Sequence, residues 1–267
     1  MSSTRRERAS AGTVPDRAPV PGVDAGAGAT SSDPGYSDVW LIVPVFNEGP
    51  VIGQVLDDVL QTFANVVCVD DGSADGSAAA ILQTSARLVR HPVNLGQGAA
   101  VQTGVEFARA QPGAEYFVTF DADGQHQVAD VVRMIGRLRT EPLDIILGTR
   151  FGGPQAASVP WIKRVVLRTV TAVSPRSRRL QLTDSHNGLR AFNRRVAQEL
   201  ALTTNGMGHA SEFVELIDVR GWRVAEEPVT ILYTDYSVAK GQSLLNGVNI
   251  VFDSAVRGGG RRSGGRP

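Results

Sequence analysis

The chain has 267 residues, enough for one full α/β domain with appendages or for two small ones. Lys and Arg total 27 and Asp and Glu total 27, so no global field favours nucleic acid and any basic surface must be local. The single cysteine, Cys68, sits inside an apolar run, which excludes an intrachain disulfide framework and suits a reducing compartment. No apolar run approaches the ~20 residues that span a bilayer, and the amino terminus lacks a signal-peptide core, so a soluble or peripheral protein is expected.

Residues 1–38 are rich in Ser, Ala, Gly, Pro and Arg, have no apolar period, and read as disordered. Val39-Trp-Leu-Ile-Val-Pro-Val-Phe46 then reads as a fully buried strand. Asn47-Glu-Gly-Pro50 turns into a helix whose Val51, Ile52, Val55, Leu56, Val59 and Leu60 follow a helical period. A second strand over Val66–Val69 ends in Asp70-Asp-Gly-Ser73, and an Ala-rich helix covers 74–84. A short third strand at Leu88–His91 precedes Asn94-Leu-Gly-Gln-Gly98, which leads into a helix through Arg109. Tyr116–Phe120 is a strand running into Asp121-Ala-Asp-Gly-Gln125, followed by a helix from about Val128 to Arg139 and a strand at Ile145–Leu147.

The second part is less regular. From Pro160 to Val173 one helical face carries Ile162, Val165, Val166, Thr169, Val170 and Val173, and the other carries Lys163, Arg164 and Arg168, with Arg176, Arg178 and Arg179 beyond. Taken alone, this basic amphipathic segment suits an ordinary surface helix more readily than an anionic membrane surface. Asp184 to Phe192 returns to the sheet, a helix follows to Leu202, another covers Ala210–Arg220, and Arg223–Ile231 is extended. Leu244–Val256 reads as a terminal amphipathic helix and residues 257–267 as a disordered Arg/Gly tail.

Strands alternating with helices at this spacing imply a mostly parallel, doubly wound α/β sheet. Ligands bind such sheets at the carboxyl edge of the strands. Asn47 and Glu48, Asp70 and Asp71, Asp121 and Asp123, and Thr149 and Arg150 all fall on that edge. One polar set there is uninformative, whereas four describe a binding site. The Asp-x-Asp pair has a physical use, since hard carboxylate oxygens hold Mg²⁺ or Mn²⁺ and the ion neutralises a diphosphate.

The ordered set Pro44-Val-Phe-Asn-Glu48, Asp70-Asp-Gly-Ser73, Asn94-Leu-Gly96, Asp121-Ala-Asp123 with Gln125, Gly148-Thr-Arg150, and Asp184 with Gly188-Leu-Arg190 resembles the family 2 glycosyltransferases. The nearer likeness is to polyprenyl-phosphate glycosyltransferases of the dolichyl-phosphate mannose synthase type. Within these, Tyr236-Ser-Val-Ala-Lys-Gly-Gln-Ser243 and the overall length look most like the actinobacterial polyprenyl-phospho-N-acetylgalactosaminyl synthases. The resemblance implies a GT-A (Rossmann-like) domain over residues 39–256 with acceptor-side helices toward the C-terminus. It implies that Pro44, Phe46 and Glu48 hold the nucleoside, that Asp70 or Asp71 reads base or ribose, and that Asp123, Gln125 and Asp121 bind the metal. Arg150 and Arg164 match the acceptor-phosphate arginines, which turns the 159–173 segment into a membrane-facing acceptor helix.

The sequence departs from the mannose-synthase pattern at Arg168, where that branch carries Ser. It departs again at Val238, where the branch carries an Arg for the donor pyrophosphate, so Lys240 becomes the candidate cation. His186 and His209 read as satisfied or exposed histidines rather than ligands. The expected reaction is an inverting, metal-dependent transfer from a nucleotide-sugar donor, preferably UDP-N-acetylgalactosamine, to polyprenyl phosphate. It would take place at the cytoplasmic face of the plasma membrane, with a small membrane-protein partner as an additional anchor. The alternatives are a hydroxyl acceptor with Asp184 as general base, a GDP-mannose donor, and a non-catalytic partner of a membrane protein. A nucleotidyltransferase would need a Gly-rich phosphate loop that Asn47-Glu-Gly-Pro50 does not supply.

Overall fold

The structure is a computed structural model that describes residues 34–151, 179–184, 187–206, 208–232 and 236. All of these lie in one compact unit, Ser31–Pro267. Of the segment 1–38 expected to be disordered, residues 1–33 lie outside the described residues, whereas Pro34–Tyr36 forms a short 3₁₀ helix leading into the first strand. The expected segments 160–173 and 244–267, together with Arg164, Arg168, His186 and Lys240, also lie outside the described residues.

β1 (Val39–Val45) is buried along nearly its whole length because both faces of the sheet are covered. Its side chains alternate with the strand period. Val39, Leu41, Val43 and Val45 enter one apolar core, and Trp40 and Ile42 enter the other. The first core is closed by α1 (Gly49–Leu60), through Ile52, Val55, Leu56 and Val59, and by α4 (Val128–Thr140), through Val131, Met134, Ile135 and Leu138. The second is closed by α3 (Gln97–Arg109), α5 (Arg194–Glu199) and α6 (His209–Arg220). Each fully buried aliphatic side chain contributes about 1.5–3 kcal/mol, so the two cores hold the sheet as a rigid layer.

The other strands are β2 (Val66–Asp70), β3 (Arg87–Arg90), β4 (Tyr116–Thr119), β5 (Ile145–Thr149), β6 (Arg190–Asn193) and β7 (Val224–Pro228). They form a seven-stranded sheet in the order β3-β2-β1-β4-β6-β5-β7. All neighbours are parallel except β6, which runs antiparallel to β4 and β5. The expected mostly parallel α/β sheet is therefore present. The reversal of β6 has a consequence for chemistry, because its first residue rather than its last reaches the carboxyl edge, and Arg190 pairs with Thr119.

Several boundaries differ from the periodicity, among them the helix expected to reach Leu202, which ends at Glu199. The Ala-rich helix shortens to α2 (Ser77–Ile81), because Asp75 accepts from Ser77 N and Oγ and from Gly49 N and so begins the helix later. β5 extends to Thr149, where it pairs with Pro228. Cys68 is fully buried, and burial pushes its thiol up to about 12, so it stays inert core. Among the described residues no helix is long and apolar enough to cross a membrane.

Candidate active site

At the end of β1 the chain turns through Asn47, which sits at φ 53°. Asn is one of the few side chains that tolerates this region. The turn is stitched to the loop after β2. Asn47 N donates to Ser73 Oγ (2.9 Å), Ala74 N to Asn47 Oδ1 (3.0 Å) and Glu48 N to Ser77 Oγ (2.9 Å). Phe46 is 43% exposed at the rim, while Glu48 is buried. The Tyr236 hydroxyl lies 2.8 Å from Glu48 Oε2 and 3.2 Å from the Asn47 carbonyl. Burial and the Glu48 charge raise its pKa, which keeps it a donor.

Asp70 and Asp71 reach the same edge but are engaged by the protein itself. Asp70 Oδ1 accepts from Ser73 N at 2.9 Å, and Arg90 Nε lies 3.0 Å from Oδ2. Asp71 accepts from Leu95 N (2.8 Å), Gly96 N (2.7 Å) and His91 Nδ1 (2.7 Å). This shapes the loop that enters α3. The loop admits only glycine at position 96, where φ is +101° and a Cβ would fall 2.3 Å from the Asn205 carbonyl.

β4 delivers Asp121 and Asp123 into unlike surroundings. Asp121 is held from three sides. His126 Nε2 lies 3.0 Å from Oδ2, Gln97 Nε2 donates to Oδ1 at 3.3 Å, and Gly188 approaches so closely that a Cβ there would sit 2.0 Å from Oδ2. Burial alone would raise its pKa, but the His126 hydrogen bond and the charges of His126 and Arg190 outweigh it and hold the carboxyl low. Asp123 is pushed up to about 6, chiefly by burial and then by the charge of Asp121, against a hydrogen bond from Gln125 N at 3.1 Å. An ionised pair of this kind suits a divalent cation. Among the described residues no three His, Cys, Asp or Glu side chains form a cage. Mg²⁺ commonly takes only one or two carboxylates and completes its shell with substrate phosphates and water, so this donor set fits such an ion.

On the far side, Arg150 directly follows the end of β5. Its guanidinium makes a two-pronged pair with Asp184, Nε to Oδ2 at 2.6 Å and an Nη to Oδ1 at 2.7 Å, and Arg150 N also donates to Oδ2 at 3.1 Å. Asp184 is almost wholly buried. Arg190, also buried, lies with its guanidinium 4.7 Å above the Phe213 ring. Burial pulls its pKa down to about 10, and the charges of Asp121 and Asp184 resist this. His209 Nδ1 donates to the Gly206 carbonyl (2.9 Å), and burial and Arg190 lower its pKa, so it is a neutral, hydrogen-bonded histidine.

The edge thus brings together Glu48, Asp121, Asp123, Arg150 and Asp184, with Pro44 inside β1 below it. His126, Tyr236 and the placement of Arg190 at this edge are not legible in the sequence. Arg190 was hidden because an antiparallel strand presents its start, and Tyr236 because its partner Glu48 is 188 residues away. His126 lay one residue beyond a quoted motif, which was the available signal.

The fold is of the GT-A, Rossmann-like kind. Glucosyl-3-phosphoglycerate synthase of Mycobacterium tuberculosis, solved with Mn²⁺ and UDP-glucose, superposes with a TM-score of 0.57 at 17% identity, over 74% of this chain and 72% of that one. An uncharacterised protein of Methanocaldococcus jannaschii is 31% identical over 80% of this chain and 90% of its own length. The UDP-N-acetylglucosamine–dolichyl-phosphate N-acetylglucosaminyltransferase of Methanococcus voltae is 27% identical, over 80% and 93%. The undecaprenyl-phosphate mannosyltransferase of Micrococcus luteus is also 27% identical, over 82% and 91%. The model described as Glycosyl transferase family 2 matches residues 40–201, from the first strand through the last of the carboxylates gathered at this edge. The chain belongs to glycosyl transferase family 2.

Proposed function

We propose that this glycosyltransferase moves a sugar from a nucleotide diphosphate to polyprenyl phosphate with inversion at the anomeric carbon. The observation that carries this reading is the state of Asp184, both of whose oxygens accept from Arg150. A hydroxyl acceptor needs a carboxylate base. A phosphate monoester, with its second pKa near ~6, is already an anionic nucleophile and needs a guanidinium to receive it. The similarity to relatives named for dolichyl-phosphate and undecaprenyl-phosphate acceptors supports the same choice.

In this scheme a phosphate oxygen of the acceptor forms a bond to the anomeric carbon as the bond from that carbon to the donor diphosphate breaks. No proton has to be removed. Arg150, held by Asp184, positions the acceptor phosphate, and Arg164, Arg168 and Lys240 are proposed to add charge to the acceptor and donor phosphates. Glu48, oriented by Tyr236, receives the ribose hydroxyls against Phe46 and Pro44. Asp71 acts through the loop it shapes, and Asp70 lies beneath the base. Asp123, Gln125 and Asp121 would hold Mg²⁺ or Mn²⁺, which when bound stabilises the leaving diphosphate as a Lewis acid. UDP-N-acetylgalactosamine is the preferred donor, on the likeness of the 236–243 segment. The protein would act as one GT-A domain over 39–256, peripheral to the cytoplasmic membrane face. The test is a panel of radiolabelled nucleotide sugars incubated with membranes. A lipid-extractable, acid-labile product is expected, and label found only in water-soluble or protein product would overturn the reading.

A further inference from the structure

Glu226 stands apart from the one other acid of β7. Its neighbour Glu227 faces α4 and pairs with Arg133 (3.1 Å) and Arg137 (2.9 Å), which is ordinary surface support. Arg137 also reaches the Glu226 backbone carbonyl (3.0 Å), but the Glu226 carboxylate, on the opposite face of the strand, pairs with no cation among the described residues. It instead accepts three neutral donors from one short stretch of chain. Oε1 takes Thr183 N (2.8 Å) and Asp184 N (2.9 Å), and Oε2 takes the Thr183 hydroxyl (2.7 Å). Thr183 Oγ1 also lies 2.9 Å from Thr149 Oγ1, and Thr149 Oγ1 accepts from Phe151 N at 3.1 Å. Asp184 in turn grips both the side chain and the backbone N–H of Arg150.

These bonds form one connected path. It runs from Glu226 on β7, through Thr183 and Asp184, to Thr149, Arg150 and Phe151 at the end of β5. It ties together two stems of chain that are 34 residues apart and that enter and leave the intervening segment. β7 is itself hydrogen-bonded to β5, with Glu226 opposite Leu147, so the anchor belongs to the rigid sheet rather than to a loop. A guanidinium aimed at a ligand is useful only if its counter-carboxylate is fixed, because a shift of an ångström can cost about 100-fold in rate.

We propose that Glu226 is a positioning residue for the acceptor half of the site. It fixes the Thr183–Asp184 stem so that Asp184 holds Arg150 at the angle that receives the acceptor's phosphate. The inference rests on the phosphate-acceptor reading above. Its role is geometric, since all three donors are neutral and an amide can satisfy them. A glutamine keeps a carbonyl oxygen for the two N–H groups and can turn its NH₂ toward the Thr183 hydroxyl.

The experiment uses the full chain and measures kcat and KM separately for donor and for polyprenyl phosphate, with nucleotide affinity by calorimetry. Glu226→Gln is expected to stay within about threefold of wild type, because the hydrogen-bond pattern survives. Glu226→Ala is expected to raise the acceptor KM by roughly 10–100-fold while leaving nucleotide affinity within about twofold. If Glu226→Ala does not fold, Thr183→Val serves in its place. It removes only the hydroxyl contacts and is expected to raise the acceptor KM by about three- to tenfold. An unchanged acceptor KM in the alanine or valine variant, or an equal rise in donor and acceptor KM, overturns the proposal. So does a Glu226→Gln variant as poor as the alanine one. A wild type that glycosylates no lipid phosphate would sink the acceptor reading itself and this inference with it, an outcome distinct from the other three.

Discussion

Asp121 and Asp123 stand one residue apart on the same loop, yet their environments pull their acidities in opposite directions. The folded pKa of Asp123 lies above its unfolded value, so its contribution favours the fold at low pH and is lost as pH rises through about 6. A divalent cation at the pair would remove that penalty. Mg²⁺ or Mn²⁺ should therefore raise Tm clearly above pH 6 and much less below it, read by thermal unfolding with and without metal. Equal shifts on both sides would argue against cation binding here. Asp123→Ala should abolish turnover and Asp123→Asn nearly so, and chelation of the wild type should stop product formation. Gly188→Ala would place a methyl 2.0 Å from Asp121 Oδ2, and turnover should fall by about 100-fold as that carboxylate moves. Asp184→Asn separates the two acceptor classes. Loss of its grip on Arg150 should appear as a raised acceptor KM with an unchanged pH profile. A kcat loss of roughly 10²–10⁴ at constant acceptor KM would identify a general base instead.

At the level of elements, the amino end of β5 carries a separate anchor, away from the carboxyl edge. Asp144 receives Arg223 Nε (3.0 Å), an Arg223 Nη (3.1 Å), Arg223 N (2.9 Å) and Asn193 Nδ2 (3.1 Å), with Arg195 at 3.4 Å. It joins β5, β6 and the approach to β7. The Arg223 hydrogen bonds outweigh burial and hold its carboxyl at about 2, below its unfolded value. Its contribution is therefore present above about pH 4 and is lost as pH falls through about 2. Because Arg223 and Arg195 are largely in water, that contribution is on the order of 1–2 kcal/mol. Asp144→Asn should lower Tm and remove part of the acid sensitivity of unfolding. Donor and acceptor KM should not change, because the anchor lies at the end of the sheet opposite the site, and steady-state kinetics would show it.

For the whole molecule, charge balances to a formal zero, so any membrane attraction has to come from local arginines. Arg179 is partly neutralised by Asp218 at 2.6 Å, which leaves Arg176, Arg178 and the Arg-rich tail as the proposed contributors. Each basic residue near an anionic surface adds about 1 kcal/mol, and the attraction fades within a Debye length. The protein should co-sediment with anionic vesicles at low salt and wash off at high salt. Charge reversal at Arg176 and Arg178 should weaken that binding without altering nucleotide affinity. Equal binding to neutral and anionic vesicles, indifferent to salt, would remove the electrostatic account.

Strand and helix identity could be read from the residues alone, because burial on both faces demands long apolar runs and burial on one face demands a helical period. Val39–Val45 and the Ile52, Val55, Leu56, Val59 stripe are the plainest cases. The parallel βα repeat then placed Glu48, Asp70, Asp71, Asp121, Asp123 and Arg150 on one edge, since every parallel strand delivers its last residues there. The direction of β6 was not legible, because a four-residue strand carries no mark of which way it runs. That direction brought Arg190 beside Asp121 and Asp184. Pairings across the chain were equally hidden, as with Asp184 on Arg150, Glu226 on Thr183 and Tyr236 on Glu48. Periodicity records which face a residue occupies, whereas a hydrogen bond depends on which distant atom packing brings within 3 Å, and only the folded sheet decides that.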